Sequence, residues 1–413
     1  MITDFNELYA GNTEIQKKRY SELTEHFSTF FDINDGIEYF SAPGRTEVGG
    51  NHTDHQHGRV LAAAVNMDII AAAVKTDDNI ITLKSHEYEK VDRVDVSVLD
   101  IQDAEREKSA SLIRGVCARC VELGYKAGGF SAYTMSSVLK GSGLSSSAAF
   151  EVLVVTILNH LYNDDKISAV EVAQIAQYAE NVYFGKPSGL MDQTASSVGG
   201  FTAIDFNDPK SPKLEKIDFD LKKYGHNLCI VDTKGSHADL TGEYASIPVE
   251  MKSVAGFFGK EVLRDVDEIE FVKNIAVLRE KFGDRAVLRA MHFFDDNRTA
   301  LDEAEALKAG DFEKFLTLVK KSGTSSLMKL QNVFASSAPS QQGITLGLAV
   351  TERILNGKGT FRVHGGGFAG TMQAYVPDEL LAEYISGVES VFGEGSCHVL
   401  SVRNAGGTKV IGI

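Results

Sequence analysis

The stretch Lys140-Gly-Ser-Gly-Leu-Ser-Ser-Ser-Ala148 leads from a short alternating segment into a strongly apolar one. Over residues 148–158 only Glu151 is charged, which predicts a helix buried on all sides. The glycines let the main chain approach a ligand closely, and the free amides at a helix start attract phosphate. Three serines there could merely cap the helix, or bind phosphate and supply hydroxyls to Mg²⁺. We favour the phosphate site.

Two more glycine-rich segments lie far from this one in the chain. They are Pro43-Gly-Arg-Thr-Glu-Val-Gly-Gly-Asn-His-Thr-Asp54 and Arg362-Val-His-Gly-Gly-Gly-Phe-Ala-Gly370. Together the three are typical of backbone loops that close on an anionic ligand beside charged side chains, as phosphoryl transfer requires. The segment at 140–148 is not a Walker A loop, since no lysine follows its second glycine, and lacks the third glycine of a dinucleotide fingerprint.

Length and charge restrict the class of protein. A chain of 413 residues predicts two domains. The net charge of −15 argues against nucleic acid or an anionic membrane as partner. No apolar stretch reaches the roughly 20 residues that span a bilayer, and the N-terminus lacks the pattern of a secretory signal. We therefore predict a cytoplasmic protein whose four cysteines are reduced thiols.

Strands and helices mix without a strict β-α-β rhythm, which predicts an α+β fold. The linker candidate is Asn207-Asp-Pro-Lys-Ser-Pro-Lys213, so the predicted domains are 1–207 and 208–413. Alternation and β-branched residues predict strands at 36–41, 59–65, 68–75, 79–84, 91–98, 129–136, 200–206 and 226–232. Helices are predicted at 12–31, 109–123, 148–158, 168–184, 190–197, 245–260, 267–280, 284–309, 311–322 and 339–355. From residue 360 onward we expect a strand, a glycine loop, a strand, a helix and a strand.

Two carboxylates are candidates for chemistry. Glu180 lies four and eight residues after Ala176 and Val172, so a helix would direct it inward, where it needs a partner or a metal. The alternative is a helix-end glutamate that reaches solvent. Asp192 lies in the apolar stretch Gly189-Leu-Met-Asp-Gln193, where it could cap a helix or deprotonate a substrate hydroxyl. The sequence leaves both options open.

The first glycine segment is rich in polar side chains. His52, His55, His57 and Asp54 could in principle bind zinc, but the run is loop-like and lacks the helical spacing of zinc-binding histidines. Hydrogen bonding to a polyol suits these groups better. Arg45 could stabilise charge on a phosphoryl group or favour the ionised form of Asp192.

These motifs resemble those of the GHMP kinases, and within that superfamily they are most similar to the galactokinase family. The resemblance rests on Pro43-Gly-Arg45, Gly50-x-His-Thr-Asp54, Gly143-Leu-Ser-Ser-Ser-Ala148, Gly189-Leu-Met-Asp-Gln193 and Gly365-Gly-Gly-Phe-x-Gly370. It implies a two-domain GHMP kinase fold, with an N-terminal domain like ribosomal protein S5 domain 2, a ferredoxin-like C-terminal domain and the active site in the cleft between them.

The resemblance also implies an ATP-dependent sugar 1-kinase that requires Mg²⁺ and binds ATP and a monosaccharide, with no obligate protein partner. Arg45 and Asp192 would flank the anomeric hydroxyl, while Ser147 and Glu180 would hold the metal. Which serine of 145–147 is the metal ligand stays open. The implied sugar-binding residues are Asn51, His52, Asp54, Gly189 and Tyr244. The implied nucleotide-binding residues are Gly141, Ser142, Gly143, Leu144, Ser145, Ser146, Ser147, Ala148, Gly366 and Gly367.

Departures from the family pattern concentrate in the sugar-binding motif. Asn51 stands where the family has a glutamate, Glu47 where it has an asparagine, and His55 where it has a tyrosine. The arginines expected after Tyr244 are replaced by Ala-Ser-Ile-Pro. The phosphotransfer residues are retained, whereas the sugar-binding residues are altered. On the resemblance to galactokinases, galactose is the leading substrate. A uronic acid, an amino sugar or a pentose is the alternative, and an inactive sensor of sugar and ATP is a further one.

Overall fold

Two β-sheets organise the chain in the computed structural model, which describes residues 2–9, 12–139, 143–186, 188–235 and 240–413. The strands are β1 (Ile2–Asp4), β2 (Glu38–Gly49), β3 (Arg59–Lys75), β4 (Ile80–Ser85), β5 (Val91–Asp95), β6 (Phe130–Ser136), β7 (Phe201–Asp205), β8 (Lys213–Ile217), β9 (His226–Asp232), β10 (Thr360–Val363), β11 (Thr371–Pro377), β12 (Cys397–Leu400) and β13 (Thr408–Ile411). The first sheet has the order β1-β13-β2-β3-β6-β4-β5, with β7 pairing to β3 and β8. The second has the order β10-β11-β9-β12 and is antiparallel.

Helices cover both sheets. They are α1 (Phe5–Leu8), α2 (Thr13–Phe31), α3 (Ser109–Glu122), α4 (Ser146–Asn163), α5 (Ala169–Tyr178), α6 (Met191–Val198), α7 (Thr241–Phe257), α8 (Glu268–Lys273), α9 (Ile275–Phe282), α10 (Asp284–Lys308), α11 (Phe312–Ser325), α12 (Gly343–Leu355) and α13 (Leu381–Phe392). The first sheet is mostly antiparallel, with parallel pairs only between β1 and β13 and between β4 and β6, and this mixture of sheets and separate helices confirms the predicted α+β class. Among the described helices, none is both long and apolar enough to cross a membrane.

The predicted apolar helix is the centre of the largest core. In α4 every side chain from Glu151 to Asn159 is buried, and the helix packs on β2 and β3. The next helix, α5, begins with the predicted capping box, in which Ser168 accepts from the Glu171 amide and the Glu171 carboxylate accepts from the Ser168 amide. A π-helical segment, Ala179–Phe184, continues α5 and carries Glu180.

Two strands are longer than the sequence indicated. The prediction that residues 43–49 form a loop is wrong, because β2 runs through them to Gly49. Register shifts at Pro43/Arg45 and Glu47/Gly49 accommodate the proline and the glycines. The two strands predicted at 59–65 and 68–75 form the single strand β3.

Sheet pairing crosses the predicted domain boundary at residue 207. β8 pairs with β7, and β13 from the end of the chain pairs with β2 and β1. The second sheet, by contrast, is built only from strands that follow residue 225. The division into 1–207 and 208–413 stays a prediction, and the first sheet draws strands from both segments.

Candidate active site

A cleft lies where β2, the start of α6 and the β10–β11 loop meet. Its volume of about 270 Å³ is close to the lower end of the range for small-molecule sites, roughly 300–1,000 Å³. The residues that line it are Arg45, Glu47, His52, Asp54, His55, Lys186, Ser188, Gly189, Met191, Asp192, Gly365 and Gly366. Residues from the first and third glycine segments thus line the cleft.

Arg45 and Asp192 form the central ion pair. Arg45 Nε donates to Asp192 Oδ1 at 2.7 Å, and Nη2 lies 2.7 Å from the same oxygen. Burial by itself raises the pKa of Asp192, but the Arg45 guanidinium and the Ser145 hydroxyl outweigh it and hold that pKa below its ordinary value. Asp192 is therefore ionised at neutral pH, with Arg45 beside it as a fixed cation.

The start of α4 faces this ion pair. Ser145 precedes the helix in the left-handed conformation, with φ of 57°, and its hydroxyl donates to Asp192 Oδ2 at 2.7 Å. Arg45 donates from its side chain to the Gly143 carbonyl and from its backbone amide to the Leu144 carbonyl. Ser146 begins the helix, and Leu144 and Ala148 are buried. The Gly141 and Ser142 predictions lie outside the described residues.

Ser147 and Glu180 meet beside the ion pair. The Ser147 hydroxyl lies 3.4 Å from Glu180 Oε1, and the Lys186 ammonium lies 3.2 Å from the same oxygen. Gln193 Nε2 donates to Glu180 Oε2 at 2.9 Å and to the buried Glu151 at 3.1 Å, which fixes the Glu180 carboxylate. Two oxygen donors fit Mg²⁺, which takes only one or two protein ligands besides substrate phosphates and water.

The polar residues of the first glycine segment divide between the cleft and the interior. His52 and Asp54 line the cleft. Burial, followed by the neighbouring His55, lowers the pKa of His52 to about 4, so its ring is neutral and Nε2 can donate to the Gly366 carbonyl at 3.1 Å. Asp54 approaches Gly189 so closely that an added Cβ there would lie 2.2 Å from Oδ2. A glycine at 189 is therefore needed for this arrangement.

Asn51 does not line the cleft. It is fully buried, and its amide nitrogen donates to Glu47 at 2.7 Å and to the Gly365 carbonyl at 2.8 Å. Its Oδ1 accepts from Asn332 at 2.8 Å and from Ser326 at 3.2 Å. The side chain thus connects β2 to the third glycine loop, and the sugar contact predicted for it has no support in this geometry.

Tyr244 also contacts the third glycine loop rather than lining the cleft. Its hydroxyl donates to the Gly367 carbonyl at 2.9 Å, and a Cβ added at Gly366 would lie 2.6 Å from its ring. Gly367 has a φ of +78° and lies against Asn332, so a side chain would be both strained and obstructed there. These contacts fix the loop whose Gly366 edge faces the cleft.

Sequence reasoning did not assign two charged residues that line the cleft, Glu47 and Lys186. Glu47 lies two residues after Arg45 on β2, and alternate residues of a strand share a face. Recognising residues 43–49 as a strand would have identified it. Lys186 follows the end of the π-helical segment, and no local pattern indicates its direction.

As for zinc, no cluster of three His, Cys, Asp or Glu side chains suited to a metal occurs in the described parts of the chain.

Comparisons with known proteins agree with these motifs. Residues 111–200 match the GHMP kinases N terminal domain, and residues 25–75 match the galactokinase galactose-binding signature. A galactokinase from Actinobacillus pleuropneumoniae serotype 3 (strain JL03) is 32% identical over 360 residues, which cover 86% of this chain and 89% of that protein. A galactokinase from Streptomyces coelicolor is 30% identical over 355 residues, with coverage of 86% and 88%.

Solved structures share the fold. Lactococcus lactis galactokinase complexed with galactose superposes with a TM-score of 0.81 at 24% identity, covering 95% of this chain and 100% of that one. The Methanococcus jannaschii mevalonate kinase gives a TM-score of 0.63 at 15% identity, with coverage of 90% and 99%. The fold is therefore that of the GHMP kinases, and on the identity and coverage of its relatives the chain belongs to the galactokinase family.

Proposed function

We propose that this protein is an ATP-dependent galactose 1-kinase, which transfers the γ-phosphoryl group of ATP to the anomeric hydroxyl of galactose and forms galactose 1-phosphate and ADP. The observation that carries the proposal is the contact of Arg45 with Asp192 at 2.7 Å in the cleft, with the Ser145 hydroxyl at the start of α4 donating to the same carboxylate. Membership in the galactokinase family supports galactose as the sugar.

Transfer is direct. A sugar hydroxyl beside Asp192 attacks the γ-phosphorus, the bond to the β,γ-bridging oxygen breaks and ADP leaves. The hydroxyl proton passes to the Asp192 carboxylate. Because the pKa of Asp192 is lowered by Arg45, the carboxylate is a weak base, and proton transfer comes late in the reaction. Arg45 stabilises the charge that develops on the transferred group.

The phosphates of ATP would bind between two glycine segments. The free amides at the start of α4 and the serines around Ser145 and Ser147 suit the anionic end of the nucleotide. The third glycine loop, whose Gly366 lines the cleft, would contact the phosphates as well. Ser147 and Glu180 would hold Mg²⁺, which when bound neutralises charge on the β- and γ-phosphates. The Lys186 ammonium contacts the Glu180 oxygen that would face the metal, so it would have to release that contact.

The sugar would bind at the other end of the cleft. His52 and Asp54 are the hydrogen-bonding groups, and Gly189 leaves room for Asp54. Asn51 and Tyr244 act indirectly, through the third glycine loop. We further propose that the enzyme is cytoplasmic and acts on small molecules, without nucleic acid, membrane or an obligate protein partner.

A sugar panel tests the proposal. ADP release is measured with galactose, galacturonic acid, galactosamine and arabinose, and ³¹P NMR identifies the product. We expect the highest kcat/KM with galactose and a phosphate on C1. A higher kcat/KM with another sugar would replace galactose by that substrate. ADP release with none of the sugars, combined with measurable binding of ATP and galactose, would favour the inactive sensor.

A further inference from the structure

Glu47 is a buried carboxylate at the cleft to which the proposed reaction assigns no role. It lies on β2 and is only 4% exposed. Its Oε1 accepts from Asn51 Nδ2 at 2.7 Å and from Arg362 Nη2 at 3.1 Å. Within the described part of the chain, Oε2 accepts no hydrogen bond. One oxygen of a carboxylate that lines the cleft is thus left for a ligand.

Oε1 is held by Asn51 and Arg362, whereas Oε2 belongs to a side chain that lines the cleft and is free to accept a hydrogen bond there. A ligand hydroxyl that donates to an ionised oxygen forms a charge-assisted hydrogen bond, which is stronger than one to a neutral acceptor. We propose that Glu47 is a specificity-determining residue, whose free carboxylate oxygen accepts a hydrogen bond from a sugar hydroxyl other than the anomeric one. This inference rests on the proposed function, because it needs a sugar in the cleft.

The contacts around Glu47 hold it in one orientation. Arg362 is 1% exposed, and it also donates to the carbonyls of Val48 and, at 3.0 Å, Val363. Asn51 is held by Asn332 and the Gly365 carbonyl. Asn51 is therefore a positioning residue. The family motif has an asparagine at position 47 and a glutamate at position 51, and this chain has the reverse. The acid and the amide are still hydrogen-bonded to each other.

Charges around Glu47 come from several elements. Burial raises the pKa of Glu47 to about 7, against the opposing effects of Arg362 and Arg45 and in the same direction as Asp54 and Asp296. Above that pH the carboxylate is ionised, and with Asp54 it adds negative charge to the cleft besides the Arg45–Asp192 ion pair. A neutral aldose can donate hydroxyl hydrogen bonds to these acids. A uronic acid would bring a further negative charge and is disfavoured.

A competing explanation is that Glu47 only neutralises Arg362. This structural role predicts that Glu47→Gln lowers thermal stability and impairs turnover of every sugar by the same factor. A role in specificity predicts a loss that depends on one hydroxyl. The two explanations are separated by comparing galactose with its 2-, 3-, 4- and 6-deoxy derivatives.

The experiment measures kcat/KM at pH 8 for galactose and the four deoxygalactoses, with the wild-type enzyme and Glu47→Gln. Loss of a charge-assisted hydrogen bond should lower kcat/KM for galactose about 10- to 100-fold. For the one deoxygalactose that lacks the accepted hydroxyl, the two enzymes should differ by less than about threefold. An equal loss across all five sugars, or no loss, would overturn the inference.

Two controls keep the result interpretable. If Glu47→Gln does not fold, as judged by thermal unfolding, Glu47→Asp is measured on the same sugars. The shorter aspartate keeps the negative charge beside Arg362 but moves the free oxygen away from the sugar. We therefore expect its loss of kcat/KM to depend on the same deoxy position. A loss that does not depend on that position would contradict the role of Glu47 in specificity. A wild-type enzyme that phosphorylates no galactose would instead refute the proposed function. Galactose binding by calorimetry, with and without Glu47→Gln, then tests the contact independently of turnover.

Discussion

Arg45 and Asp192 are 147 residues apart in the chain, yet the Arg45 guanidinium donates to the Asp192 carboxylate at 2.7 Å. The pair joins a strand of the first sheet to the first turn of α6. Because Ser145 at the start of α4 donates to the second oxygen of Asp192, three distant segments converge on one carboxylate. The predictions below follow from this convergence and the contacts around it.

Removing the charge of Asp192 should abolish most of the activity. We expect Asp192→Asn to lower kcat about 10²- to 10⁴-fold, since both the proton acceptor and the partner of Arg45 are lost. Steady-state kinetics measure this change. The matched control is Asp205→Asn, because Asp205 also forms ion pairs with arginines, Arg59 and Arg264, but away from the cleft. Wild-type turnover by Asp192→Asn would exclude the assigned role.

Glu180 should govern the response to Mg²⁺. In Glu180→Gln we expect the Mg²⁺ concentration for half-maximal activity to rise about tenfold or more, because one anionic ligand is replaced by a neutral amide. A Mg²⁺ titration at fixed ATP measures it. Glu151→Gln is the control, because Glu151 is buried one contact deeper, beyond Gln193, and burial raises its pKa above the ordinary value. An unchanged titration for Glu180→Gln would remove Glu180 from the metal site.

Gly189 should be intolerant of a side chain. A Cβ there would lie 2.2 Å from Asp54 Oδ2, so Gly189→Ala has to displace Asp54. An added methyl in a packed site costs about 1–3 kcal/mol. We therefore expect the KM for galactose to rise about tenfold, while the KM for ATP changes little. Gly256→Ala, in α7 with nothing within 4 Å of the added carbon, is the control and should bind galactose normally. Equal galactose KM values for Gly189→Ala and the wild type would show that Asp54 does not need its present position.

The pH dependence of sugar selection should follow Glu47. Because the pKa of Glu47 is raised to about 7, its carboxylate is protonated below that pH and ionised above it. The ionised form accepts the stronger hydrogen bond, so the ratio of kcat/KM for the wild type to that for Glu47→Gln should increase as the pH rises from about 6 to 8. Using the ratio cancels the titration of ATP itself. A ratio independent of pH would mean that Glu47 does not titrate in this range.

The sequence predicted elements whose signals are local. The apolar run after Ser147 identified α4, and the Ser168–Glu171 pair identified the start of α5. The course of β2 was missed because Pro43, Gly44 and Gly49 are typical of loops. That strand is stabilised by β3 on one side and, on the other, by β13 from the opposite end of the chain. No local pattern could have predicted this pairing.

The candidate site, too, was predicted only where its residues belong to local motifs. Arg45, Ser145 and Asp192 are in direct contact, and Glu180 contacts the neighbouring Ser147, while their catalytic roles stay predictions. Asn51 was expected at the sugar, yet its buried environment is built from α10, the third glycine loop and Asn332, which the motif around it cannot reveal. The role of Glu47 likewise depends on Arg362, which lies 315 positions away.

A structure of the enzyme with galactose and a non-hydrolysable ATP analogue tests the central claim most directly. The distance to measure is that from the sugar's anomeric oxygen to the Asp192 carboxylate. We predict a hydrogen-bonding distance of about 2.5–3.0 Å. We also predict that the anomeric oxygen faces the γ-phosphorus from the side opposite its bond to ADP. An anomeric oxygen turned away from Asp192, or a nucleotide whose phosphates bind away from the start of α4, would contradict the account.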